Sequence, residues 1–233
     1  MRRGGRLGRF SNWFAIVCGL YLGLAYFALP AAWEFRERSR AAPEMVTRTR
    51  QGIAGDPINV GLVGNRSEVV HAFAAAGWDA ADAVTLKTAI EIGESVLFDR
   101  PYPDAPVSPL VYEGHEQDLA FEQPIGDSAD QRHHVRLWNT DRQGPDGRLL
   151  WLGAASFDRG VGLSHDTGAI THHISPDIDA ERNFLMDDLA AAGMLASSYQ
   201  IPGIGPTMDG RNGEGDRYFT DGKATIGVLR RAP

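Results

Sequence analysis

Two pairs of adjacent histidines, His133-His134 in RHHVRLW and His172-His173 in AITHHIS, are the residues of this 233-residue chain with the widest chemical reach. Imidazole changes charge near neutral pH, so it serves as general acid or base, as metal ligand, or as a partner for an anion. The second pair stands just ahead of three carboxylates, Asp177, Asp179 and Glu181. A further cluster, Asp158, Arg159, His165 and Asp166, occupies the Gly-rich stretch FDRGVGLSHDTG. Loops of this kind often carry function, and an arginine there suits a phosphate or carboxylate.

Both histidine pairs fall in runs of strand character. Neighbours in a strand point to opposite faces, so neither pair can chelate one ion. Alternation groups His133 with Val135 and Leu137, and His134 with Arg136 and Trp138; His172 goes with Ile170 and Ile174, and His173 with Thr171. Two clusters are open on this pattern: His133 with His172 on an apolar face, or His134, Arg136 and His173 on a polar one. The catalytic candidates are therefore His134, His173, Asp158 and Arg159, and the ligand-binding candidates His134, Arg136, His173, Arg159 and His165.

The carboxylates have a structural explanation. Ser175 suits an N-cap, Pro176 the first helical position, and Asp177 and Asp179 the first turn, where the helix dipole favours negative charge. No H-x-x-x-H or H-E-x-x-H spacing occurs. DGRNGEGD fails as a calcium loop, because Arg211 and Gly213 stand where Asp or Asn is needed. The single cysteine, Cys18, lies in an apolar leader, which removes disulfides, thiolate metal sites and cysteine nucleophiles from the rest of the chain. G-x-S-x-G is absent, and the Gly-x-x-Gly of GLVGNRS lacks the ending of a phosphate loop. The expectation is no metal and no cofactor.

The elements that position these residues follow from periodicity. A strand over 58–63 leads through Gly64 to a helix over 66–76, with Asn65 and Glu68 at capping-box spacing and Gly77 as its stop. A second helix runs from Thr85, as N-cap, to Phe98, followed by a Pro-rich loop. Strands are expected over 110–113, 118–123, 132–139, 149–157 and 169–174, then a helix over 176–192, then a hairpin turning at Asp221-Gly222. Strands joined by hairpins, with helices near the start and end of the domain, predict an α+β fold with a mainly antiparallel sheet, preceded by one N-terminal transmembrane helix.

That leader, WFAIVCGLYLGLAYFAL, is long enough to cross a bilayer, and Trp13, Tyr26 and Trp33 sit where interfacial aromatics belong. It predicts a basic flank over 1–12, an uncleaved anchor over 13–30, a linker over 31–55 and a globular domain over 56–233. Residues 1–50 carry a net charge of +6 and the remainder −13, giving −7 for the chain. An acidic domain behind a basic leader excludes nucleic acid as the main partner and points to a membrane. The Arg-rich N-terminus is expected to stay in the cytoplasm, leaving the domain on the non-cytoplasmic side of the plasma (inner) membrane.

In order along the chain, DPINVGLVG, RPYPDAPVSPL, QDLAFEQPIG, RHHVRLW, LWLGAASFDRGVGLS and THHISPDIDAERNFL resemble the C-terminal domain of the LssY family of bacterial membrane proteins. In related proteins this domain follows DedA-type or type-2 phosphatidic-acid phosphatase modules, which implies business with envelope lipids. This chain has one short apolar span there and no Pro-Ser-Gly-His, so phosphatase activity is not implied. The resemblance and the residues together lead to the expectation of a membrane-anchored domain that binds an anionic envelope ligand such as a lipid phosphate. The alternatives are a hydrolase with a strand histidine as general base and Arg159 steadying anionic charge, or an interaction module without a small-molecule site. Membrane lipids and other envelope proteins are the expected partners.

Overall fold

The computed structural model describes residues 5–38, 45–82, 85, 87, 109–126, 131–168 and 170–231. Helix α1, Gly5–Gly23, passes through a π-helical turn at Leu24–Ala28 into α2, Leu29–Arg38. The widened turn has a local cause. Pro30 has no N–H to give and would press on the carbonyl four residues back, and a π turn ahead of it absorbs that conflict. Within this helix, Asn12–Trp33 is long and apolar enough to cross a membrane.

Tyr21 Oη donates to the Gly168 carbonyl at 2.6 Å, and Trp33 Nε1 donates to the Asp166 carbonyl at 3.3 Å. A 22-residue helix is about 33 Å long, close to the roughly 30 Å of bilayer hydrocarbon, so Tyr21 stands near the middle of the span. A polar loop has no partners for its backbone at that depth. Crossing by Asn12–Trp33 therefore requires the Tyr21 contact to open. The full-length chain is expected to remain in the membrane fraction through high-salt and carbonate washing; recovery in the soluble fraction with a new N-terminus near Ala31 would identify a cleaved leader instead.

The next described strand begins at Val46. Strands β1 (Val46–Arg48), β2 (Ala54–Pro57), β5 (Val111–Tyr112) and β6 (His115–Glu116) form a small sheet in the order β2-β1-β5-β6. The main sheet contains β3 (Val60–Val63), β4 (Asp79–Ala80), β7 (Leu119–Pro124), β8 (Arg132–Gln143), β9 (Leu149–Leu163), β11 (Leu195–Pro202) and β14 (Lys223–Leu229), ordered β11-β14-β3-β9-β8-β7-β4. β10 (Ile170–Ile174) pairs with the far half of β9. Among the described pairs in this sheet only β14 with β3 is parallel, which confirms α+β with a mainly antiparallel sheet.

Alternation along the strands gives the sheet two buried faces. Val60, Leu62, Leu119, Phe121, Val135, Leu137 and Trp151 pack under α3 (Arg66–Ala75) and α4 (Ile178–Ala191). Val63, Trp138, Leu152, Ala154 and Ile226 face the other way, with Leu110 and Tyr112 from the small-sheet side against them. Residues i, i+2 and i+4 of β8 share a face, so the row that is apolar at Trp138 becomes polar at Arg136, His134 and Arg132. That change of polarity along one strand positions the site.

The caps show where local pattern holds and where it yields. Asn65 and Glu68 form the expected capping box, each side chain accepting the other's backbone N–H at 2.8 Å. At α4 the expectation fails: Asp177, not Ser175, is the N-cap, and it accepts the Ala180 N–H. The Ser175 N–H is held by the Phe157 carbonyl and the Pro176 carbonyl by the Phe219 N–H, so the chain stays tied to neighbouring strands two residues longer. Thr85 is likewise not an N-cap. Its amide is held by Asp82 and its hydroxyl accepts the Ala120 N–H, while the rest of the helix expected to Phe98 apart from Lys87, and most of the Pro-rich loop after it, lie outside the described residues.

The expected C-terminal hairpin is also corrected. β13 (Arg217–Thr220) pairs with β12 (Thr207–Arg211), whereas β14 pairs with β11 and β3. Asp221-Gly222 is a turn, with Gly222 at φ +78°, but it carries the chain from one sheet into another.

Candidate functional site

The charged end of β8 lines a cavity of about 90 Å³ together with Asp56, Asp158, His172, Asn212 and Glu214. Register explains its centre. Arg132 lies opposite Asp158 across the β8–β9 ladder, and its Nε donates to Asp158 Oδ2 at 3.0 Å. Its Nη1 donates to Glu122 Oε2 at 2.8 Å, and all three side chains are buried. Arg136 Nη1 donates to Asp56 Oδ2 at 3.3 Å and lies 3.0 Å from His134 Nε2. A guanidinium can only donate, so His134 Nε2 is the acceptor and the ring proton sits on Nδ1, 3.3 Å from Asp158 Oδ2.

The two carboxylates on Arg132 are driven in opposite directions. Burial works to raise the Asp158 pKa, but His134 and Arg132 outweigh it and hold the carboxyl well below its usual range. For Glu122 burial prevails over the attraction of Arg132, and the pKa is raised. Arg136 is pushed down by burial, which Asp56 and Asp158 offset only in part.

The structure separates the residues that alternation left in two groups. β9 lies between β8 and β10, so His133 and His172 are not on adjacent strands. His133 is under the helices, stacked on Phe184 with ring centres 3.9 Å apart and its Nδ1 2.8 Å from Glu181 Oε2. His172, not His173, lines the cavity with His134 and Arg136. His173 instead meets Asp216, Nδ1 to Oδ1 at 2.7 Å, and His165 Nε2 lies 3.4 Å from the same oxygen. Arg159 is exposed on β9, and its carbonyl accepts from Gln131.

The three carboxylates ahead of α4 also find their places. Asp177 caps the helix, and Glu181 holds His133. Asp179 accepts from Arg182, from the Thr220 hydroxyl and from the Asp221 N–H. They clasp α4 to the sheet and to the turn before β14, and none of the three lines the cavity.

Arg132, Asp56, Glu122 and Asn212 are cavity or network residues that the sequence reading did not single out. Arg132 was within reach, since it continues the i, i+2 series of His134 and Arg136. Asp56 and Asn212 had no such signal, because only the tertiary fold brings them within 3.4 Å of each other.

The profile of the family described as LssY C-terminus matches residues 39–224, most of the chain. No curated protein and no solved structure shows significant similarity.

Proposed function

We propose that this chain, which belongs to the LssY C-terminus family, is a single-pass membrane-anchored domain that binds the anionic headgroup of an envelope amphiphile, such as a lipid phosphate, in the β8 cavity. The observation that carries the reading is Arg136. It is buried on the cavity wall, and the carboxylates around it only partly offset the cost of its burial. An anionic group entering the cavity would supply further counter-charge to this guanidinium.

The cavity adjoins a second space beside the apolar helix, in the arrangement where Tyr21 rests on the Gly168 carbonyl. Thr49, Leu110, Thr171, Gly213 and Glu214 line both the cavity and a larger space, about 360 Å³, beside Ala25, Tyr26 and Pro30 of the apolar helix.

The hydrolase alternative has one structural point in its favour, the nearness of an imidazole to a carboxylate, His134 Nδ1 lying 3.3 Å from Asp158 Oδ2. His134 Nε2, the nitrogen a general base needs, is engaged by Arg136. Arg159 stands away on the surface. Binding is therefore the reading the geometry favours.

Its test uses the full-length chain in neutral detergent, titrated with a short-chain phosphatidic acid, a phosphatidylcholine of the same chain length, and inorganic phosphate. Phosphatidic acid is expected to bind in preference to phosphatidylcholine. Arg136→Lys keeps the charge opposite Asp56 but loses the fork, and should weaken that binding by about tenfold. Equal affinity for the two lipids, or an unchanged Arg136→Lys protein, would remove the cavity from the function. Binding of inorganic phosphate alone would identify a free anion as the ligand.

A further inference from the structure

We infer that His165, His173 and Asp216, none of which lines the cavity, form a binding site for a divalent transition ion of the zinc class, independent of the headgroup reading. The three residues lie far apart in the chain, on the loop after β9, on β10 and on the turn before β13. Their ligand atoms all fall within 4.8 Å of one another. With metal–ligand bonds of roughly 2.0–2.2 Å, tetrahedral ligand atoms stand about 3.3 Å apart. The His173–Asp216 and His165–Asp216 separations, 2.7 and 3.4 Å, bracket that value.

The support around the three residues is of the kind that orients ligands. Asp216 is 2% exposed, and its Oδ2 is held by the Ile174 N–H at 2.9 Å, which leaves Oδ1 turned to both imidazoles. The Asp216 N–H is held in turn by Asn212 Oδ1. The His165 N–H donates to the Glu214 carbonyl, tying the loop to the turn that carries Asp216. Fixing a ligating carboxylate through its second oxygen is a recurrent feature of metal sites.

Two glycines make room. A Cβ at Gly162 would come within 2.5 Å of His173 Nε2 and 2.7 Å of its Cδ2, so that edge of the ring is turned to bare backbone. A Cβ at Gly215 would come within 2.9 Å of Asp166 Oδ1, which places a further carboxylate beside the cluster. The nearby Arg211 is directed to the Gly215 carbonyl.

A His–Asp hydrogen bond alone would account for His173 and Asp216. It does not account for His165, whose side chain is 58% exposed and yet directs Nε2 at the same oxygen. Two imidazoles and one carboxylate match the ligand preference of zinc, and three protein ligands leave a fourth position for water or a ligand. Ligands from three separate elements leave no local spacing motif, which is why the sequence alone argues for no metal.

The experiment takes the full-length chain in detergent, purified on a tag without histidines and stripped with a chelator. Zn²⁺ is titrated against a chromophoric competitor, and Co²⁺ is followed by its visible ligand-field absorption. One equivalent of Zn²⁺ is expected to bind, and Co²⁺ to give the strong bands of a four-coordinate site. His165→Ala alters an exposed side chain and should fold normally; it is expected to lose at least about tenfold in zinc affinity together with the cobalt bands. His173→Ala should do the same, while His115→Ala, at a surface histidine beside Asp118, should bind as the parent does. Absence of stoichiometric binding, or binding that is indifferent to His165→Ala, would overturn the site. Neither outcome depends on lipid or phosphate, so failure here and failure of the headgroup reading can be told apart.

Discussion

Asp158→Asn is expected to lower the melting temperature at neutral pH by on the order of 10 °C, while Glu122→Gln, on the same arginine, should shift it by only a few degrees. Both carboxylates accept from Arg132, and all three side chains are buried. Removing one charge of a buried pair costs about 3–5 kcal/mol when the remaining ion is left without compensation. Asp158 is that case, since its carboxylate is held ionised by His134 and Arg132 against the effect of burial. Glu122 is the opposite case, because burial opposes its ionised form more than Arg132 favours it. Glutamine there retains an acceptor for Arg132 and carries no charge to desolvate.

The pH dependence separates the two further. A depressed pKa means that Asp158 contributes stability above the unfolded aspartate range, near pH 4, and that the contribution is lost as pH falls through the folded value. The gap between wild type and Asp158→Asn should therefore narrow on acidification. For Glu122 the raised pKa has the reverse sign: the protonated form contributes most below the unfolded value, and that contribution is lost as pH rises through the folded one. Wild type should lose ground to Glu122→Gln between mildly acidic and neutral pH. Thermal melts of the three proteins across that range test both signs. Equal losses for the two variants at neutral pH would mean that Arg132 does not distinguish its partners.

The contrast also shows which parts of the site were legible in the sequence. Alternation in RHHVRLW placed His134 with Arg136 and His133 with Val135 and Leu137, and those groupings hold because a strand buried on both faces has no freedom to slip register. The partner strand was not legible. β9 runs on for six residues past Phe157, and its far half pairs with β10, which moves His172 and His173 away from β8. Nothing in the local pattern marks where a long strand exchanges one neighbour for another.

The ends of elements failed for a related reason. Ser175 and Pro176 are good helix-start residues, yet backbone bonds to Phe157 and Phe219 compete for them and prevail. Asp221-Gly222 has hairpin chemistry, but the Ile226 side of β14 is drawn to β3 and β11, where it is buried in the core. In each case a tertiary contact outweighed a local preference worth about 1 kcal/mol. The Asn65–Glu68 box survived because, among the described residues, no neighbouring strand bids for those groups, and Glu68 gains a second partner in Arg148.

Asn59→Ala is expected to be among the most damaging single changes in the domain, costing about 3–5 kcal/mol. Asn59 lies just ahead of β3, its own N–H still donating to the Gly153 carbonyl of β9, and its side chain extends the pairing to Ala155. Asn59 Oδ1 accepts the Ala155 N–H at 2.9 Å, and Nδ2 donates to the Ala155 carbonyl at 2.9 Å and the Ile178 carbonyl at 3.2 Å. The amide thus copies the paired donor and acceptor of a strand residue while also joining the first turn of α4 to the sheet. Alanine would strand the buried N–H and carbonyl of Ala155, each costing roughly 1–3 kcal/mol when left without a partner, and would remove the tie to the Ile178 carbonyl, which keeps its helical bond. Asn59→Asp sharpens the test. It keeps the acceptor for the Ala155 N–H but turns the donor edge into a second oxygen facing two carbonyls, so it should be no better than alanine at neutral pH and should recover as acidification protonates the carboxyl. Denaturant titrations of both variants decide the matter: an aspartate variant as stable as wild type at pH 7, or an alanine loss under about 1 kcal/mol, would show that water replaces the amide at this point and that the strand and α4 are held together elsewhere.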